Sequence, residues 1–195
     1  MKAASALLIA LILPAGLSAQ QASAPPATDP ITTVFRTRTL ALQRNLAQAF
    51  DSIPERLFSY RPTEAQLTVG YVAQHLVSDN YFFCDAFGQM KGNQAAQDTA
   101  TADSIRATWP RETLIAKLRE SFAFCERALG QLNDAALAEQ VTLTFRGQSR
   151  EVPRATMVLG HVVDMADHYS QIANYMRLNN MLPPTALPRP NRTGQ

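Results

Sequence analysis

The sequence predicts an all-α protein, a four-helix bundle with a short irregular or hairpin segment between its third and fourth helices. Three observations predict it. Four stretches carry apolar side chains at helical spacing, each stripe about one face wide, as bundle helices require. Breaks rich in proline, glycine or small polar residues separate them. Only residues 140–152 alternate apolar and polar positions as a strand does.

The chain opens with a secretory pattern. Lys2 supplies charge, residues 6–13 (ALLIALIL) an apolar core, Pro14-Ala15-Gly16 a break, and Leu17-Ser18-Ala19 a small residue for cleavage. We read 1–19 as a signal peptide and the protein as exported, to a periplasm or outside the cell. The apolar run is too short to span a bilayer, so no stable membrane insertion is expected after cleavage. Residues 20–29 (QQASAPPATD) read as a disordered linker. About 176 residues remain, ample for one domain with a core.

The first helix starts at Pro30, a favoured first position, with Asp29 as its N-cap, and runs to about Asp51. Ile31, Val34, Phe35, Leu42, Leu46, Ala49 and Phe50 form its stripe. A loop from Pro54 to Gln66 follows, and Pro62 holds Arg61 out of helical geometry. Thr68 caps the second helix, which runs to about Gln89 with Val72, His75, Leu76, Asp79, Phe82 and Phe83 facing inward. The polar stretch KGNQAAQDTATADS reads as a loop with a short helix near 104–108. Pro110 opens the third helix, to about Leu129, and Gly130 ends it. Val141, Leu143 and Phe145 alternate with polar residues before Arg146-Gly147-Gln148-Ser149, which fits a small hairpin or an extended loop. Pro153 or Thr156 opens the fourth helix, ending near Asn179-Asn180. The bundle domain thus spans 30–182, and 183–195 is a proline-rich tail.

Composition narrows the partners. Lys+Arg 18 against Asp+Glu 16 gives a formal charge of +2, with no dense basic run. Nucleic acid and an acidic membrane surface are therefore poor candidate partners, and the small-molecule substrate expected of an enzyme is not identified by composition. The sequence has no GxSxG elbow, P-loop or dinucleotide glycine motif. Cys84 and Cys125 are the only cysteines, and the sequence fits a disulfide and two buried thiols equally well.

The remaining chemistry lies in the histidines. Asp164 and His168 are four apart, so their side chains meet on one face of the fourth helix. An inward aspartate without a partner is costly to bury, and a divalent metal would neutralise it. His75 shares the inward face of the second helix, where it reads as a metal ligand or as a packed core histidine. His75, Asp164 and His168 together make a first shell with open positions. His161 lies two turns before His168, too far for both to hold one ion comfortably, and stands as an outer partner, a core residue or an alternative ligand. Asp79, one turn after His75, is placed to orient His75 or to add a carboxylate.

Two segments resemble signatures of the DinB-like family. RPTEAQLTVGYVAQHL (Arg61 to Leu76) is similar to the first: an Arg-Pro turn, a capping Thr-Val, then a helix with a ligand histidine. DMADHYSQIANYMRLNNMLPP (Asp164 to Pro184) is similar to the second, in which a His-x-x-x-His pair precedes Tyr-x-Arg and a Pro-Pro tail. The resemblance covers about residues 30–185. It implies an up-down-down-up four-helix bundle with a divalent metal held by three histidines, and a homodimer. By position, His75 matches the first ligand and His168 the third. Asp164 stands where the middle histidine usually stands. Two imidazoles and one carboxylate suit Zn²⁺, Ni²⁺ or Fe²⁺. The family includes thiol-dependent transferases and isomerases. The expected function is thus a metal-dependent hydrolase or thiol transferase using metal-activated water or thiolate; the alternative is a non-catalytic exported bundle that binds a small ligand, metal or protein partner.

Overall fold

The computed structural model describes residues 28–188. The expected signal peptide 1–19, residues 20–27 of the expected linker 20–29 and residues 189–195 of the expected tail 183–195 lie outside the described residues. Four long helices dominate: α1 (Pro30–Ser52), α2 (Val69–Phe87), α5 (Arg111–Gly130) and α6 (Arg154–Leu178). The polar stretch after α2 forms two short helices, α3 (Ala96–Ala100) and α4 (Asp103–Arg106), where the sequence predicts one. Strands β1 (Gln140–Phe145) and β2 (Gln148–Pro153) resolve the alternating segment as an antiparallel hairpin. Its two-residue turn places Arg146 at φ 49° and Gly147 at φ 77°, the backbone that matches the right-handed twist of paired strands. No described helix is long and apolar enough to cross a membrane.

The four long helices close a ring. α1 packs against α5 and α6, and α2 packs against the same two from across the bundle. Leu46, Phe50, Leu76, Leu114, Leu118, Met165 and Ile172 meet at its centre, all almost fully buried. Helix ends follow the sequence in part. Thr68 caps α2 by accepting the amide of Tyr71 at 3.1 Å. Asp29 occupies the N-cap of α1, yet its side chain turns away and accepts the Asp134 amide at 2.9 Å. The free amides of Ile31 and Thr32 donate instead to the Asp134 carboxylate, at 3.0 and 2.7 Å. A residue about a hundred positions downstream thus does the capping and ties the loop after α5 to the start of α1.

The buried arc of α2 is broader than its sequence stripe. Because α2 faces both α5 and α6, Ala73, Val77, Asn80 and Cys84 are buried along with Val72 and Leu76. His75, Asp79, Phe82 and Phe83 are left along the seam between α2 and α6, and Phe82 is 36% exposed. Gly160 lets the seam close at that point: a β-carbon there would meet the Phe83 ring at 2.8 Å. Cys84 and Cys125 form a disulfide joining α2 to α5, with Cα atoms 5.3 Å apart.

Candidate metal centre

The seam brings the two distant segments together. His75 and Asp79 project from α2, and Asp164 and His168 from α6. His75 Nε2 lies 3.1 Å from Asp79 Oδ2, and His168 Nε2 lies 4.0 Å from the same oxygen. The two imidazole rings are edge to face with centroids 5.1 Å apart. His75, Asp79 and His168 each offer a ligand atom, all within 4.8 Å of one another. The carboxylate in this group is Asp79. Asp164 lies behind it, with Oδ1 3.5 Å from His168 Nε2 and Oδ2 buried without a hydrogen-bond partner.

The donor set fits a divalent ion. Donors bound at about 2.0–2.2 Å sit roughly 3–3.5 Å from one another; the Asp79 oxygen lies 3.1 and 4.0 Å from the two imidazole nitrogens, so side-chain rotation alone would draw the set onto one ion. Charge argues the same way. Asp79 and Asp164 share the site, and among the described residues neither pairs with lysine or arginine. Burial, then the negative charge of Asp164, pushes the Asp79 carboxyl up to about 7. A cation would relieve that repulsion.

The two histidines are set differently. Burial and the neighbouring His168 lower the His75 pKa. Burial also opposes charge on His168, but the hydrogen bond and charge of Asp164 outweigh it and raise the pKa. His168 Nδ1 lies 3.3 Å from Gln171 Oε1. Gln171 donates to the Tyr175 hydroxyl at 2.9 Å, which donates to the Leu67 carbonyl at 3.0 Å. If His168 donates from Nδ1 to that amide oxygen, the chain orients the ring with its Nε2 lone pair toward Asp79. Gln171 and Tyr175 are partners of the site that the sequence does not single out. Their positions three and seven after His168 were the available signal.

His161 takes another role. It is 1% exposed, with Nε2 2.9 Å from Asn80 Oδ1 and 3.8 Å from Cys84 Sγ, beside the disulfide and between the Phe83 and Phe87 rings. Burial lowers its pKa from 6.5 to about 4, so it is neutral in the folded chain. Above pH 6.5 neither state protonates it. As pH falls from 6.5 to about 4, the unfolded chain takes up a proton that the fold refuses, and stability is lost. The loss should approach about 3 kcal/mol. Denaturant titrations across that range should show this slope, and His161→Gln should flatten it.

Solved structures with the same architecture share little sequence with this chain. A DinB-like protein from Bacillus cereus ATCC 10987 is 17% identical over 77% of this chain and 93% of its own, with a TM-score of 0.60. A DinB-like protein from Bacillus subtilis is 16% identical over 80% and 96%, with a TM-score of 0.56. A mycothiol-dependent maleylpyruvate isomerase is 12% identical, at a TM-score of 0.58; the match covers 72% of this chain and 60% of the isomerase. None of the curated proteins matches the sequence significantly. The sequence profile of the DinB superfamily matches residues 38–172, which include most of the bundle, the hairpin and both halves of the seam. The chain belongs to the DinB superfamily.

Proposed function

We propose that this protein binds a divalent metal between α2 and α6 and acts as a metal-dependent hydrolase or thiol transferase. The observation that carries the reading is the convergence of His75, Asp79 and His168 within 4.8 Å at the ends of two segments about 90 residues apart in sequence. His75, His168 and Asp79 would hold the ion, with Asp164 beside His168. Zn²⁺, Ni²⁺ and Fe²⁺ all suit that set. A metal held there supplies a Lewis acid that makes a bound water or thiol acidic near neutral pH. The protein's own contribution is orientation: Gln171 fixes His168 through its Nδ1. The side chain of His75 is 34% exposed, which leaves that flank of the site open to solvent and to a substrate. The similarity to a mycothiol-dependent isomerase supports thiol as one class of co-substrate.

One observation favours a second reading, a non-catalytic exported bundle that stores or senses metal. Asp164 is a fourth donor beside the group of three, and four protein ligands would close a tetrahedral shell. Substituting Co²⁺ separates the two. An open site shifts its visible spectrum when a small thiol or azide is added, and we expect that shift. A spectrum indifferent to both ligands would establish the closed site. Protein that takes up well under one equivalent of Zn²⁺, Ni²⁺ or Co²⁺ after reconstitution would remove both readings.

A further inference from the structure

One helical turn past the metal-ligating groups, the seam opens into a groove of about 560 Å³ that the proposed chemistry does not yet use. The hairpin forms one wall. Leu143 and Phe145 are two apart on β1 and therefore share a face, and both line the groove opposite Phe82 and Phe83 of α2. The Phe82 ring lies 6.4 Å from Phe145 and 5.1 Å from Phe83. Phe145 is 59% exposed, an aromatic held open at the mouth rather than packed away.

The lip of the groove carries charge of one sign. Arg146 and Arg150 line it, and no acidic residue does. Among the described residues neither arginine forms an ion pair, and the Arg146 guanidinium lies over the Phe145 ring at 5.2 Å. Two unpaired guanidinium forks above an apolar trough match a ligand with a hydrophobic body and an anionic end. The volume is that of an ordinary small-molecule site.

Position ties the groove to the metal centre. Phe83 follows Asp79 by four residues and Gly160 precedes Asp164 by four, about 6 Å along each helix axis. The inner end of the groove, where the Phe83 ring packs on Gly160, therefore lies about one helical turn from the carboxylate positions of the centre.

We propose that this groove is the substrate site and that the substrate is an amphipathic carboxylate. Its aromatic or medium-length acyl body would lie between Phe82, Phe83, Leu143 and Phe145, its carboxylate on Arg146 and Arg150, and its reacting end past the Phe83 ring toward the metal centre. The assignment rests on the metal-centre reading, because only that reading makes the inner end the reacting end. The test uses octanoate as probe, titrated by calorimetry or NMR into the full mature chain, once after chelation and once loaded with Zn²⁺. Octanoate should bind one site in both forms. Octylammonium, with the same body and the opposite charge, should bind at least about tenfold more weakly. Arg146→Glu with Arg150→Glu should weaken octanoate by a similar factor; both positions are exposed, so the fold should persist. Phe145→Ser should weaken it independently.

Equal affinity for octanoate and octylammonium would overturn the proposal, as would octanoate binding that survives both sets of substitutions. A dimer that Phe145→Ser splits, with octanoate binding only to the monomer, would also overturn it and make the groove an interface between copies. Octanoate binding by a chain that takes up no Zn²⁺ leaves the ligand class standing and removes the metal reading. Zn²⁺ binding without octanoate binding does the reverse.

Discussion

His168→Ala, His75→Ala and Asp79→Asn should each lower Zn²⁺ affinity by more than the 10–100-fold that loss of an outer-shell partner typically costs. His168 is the more buried imidazole, with 9% of its side chain exposed against 34% for His75. It is also held from both sides, by Asp164 and by Gln171. Its loss should therefore be the most severe. Gln171→Met should fall within the 10–100-fold range, because it frees the ring to rotate without removing the donor. Asp164→Asn decides the role of the second carboxylate. A loss as large as that of Asp79→Asn makes Asp164 a direct ligand; a loss within the outer-shell range makes it an orienting partner. His161→Ala should leave Zn²⁺ affinity unchanged, since its ring faces Asn80 and the disulfide. Competition titration against a chromophoric chelator measures all six. Unaltered affinity in both His75→Ala and His168→Ala would sink the metal centre.

Replacing the disulfide by Cys84→Ala with Cys125→Ala should destabilise the protein by about 4 kcal/mol. The bridge closes a loop of sequence separation 41, and a loop of that length restricts the unfolded chain by about this much. That is a large share of the roughly 5–15 kcal/mol that holds an ordinary domain together. Both cysteines are fully buried where α2 crosses α5, and the small side chains put in their place leave a void against Asn80 and His161. Both effects act in the same direction. Denaturant midpoints of the native and substituted chains measure the difference. The native chain, denatured without reductant, should show no free thiol. A substituted chain within about 1 kcal/mol of the native one would show that the bridge adds little beyond packing.

The bundle was legible because helical periodicity is a local signal. Pro30, Thr68, Pro110 and the Ile31-to-Phe50 stripe predict boundaries that agree with α1, α2 and α5 to within a few residues. The hairpin was legible only as one of two readings, since six residues of alternation do not by themselves show what they pair with. Half of the site was visible for the same local reason: His168 and Asp164 share a helix face whatever the fold does. His75 was a candidate that the residues alone left open to a core role, and the resemblance to the DinB-like signatures singled it out.

What the sequence could not assign depends on how the helices are rotated about their axes. Asp79 or Asp164 as the carboxylate nearest both imidazoles, His161 toward the disulfide rather than the centre, and Phe82 outward at a groove rather than inward in the core all follow from one fact. α2 contacts α5 and α6 together, which turns its buried arc toward Ala73, Val77 and Cys84 and leaves His75, Asp79 and Phe82 on the seam. The cap of α1 by Asp134 is the same kind of fact at longer range. By itself the sequence determined which elements form and which residues carry ionisable or ligating atoms, because backbone propensity and side-chain spacing act over a few residues. Only the tertiary structure decided which of those atoms meet, because an atom's neighbours across a helix interface are set by the packing of the whole bundle.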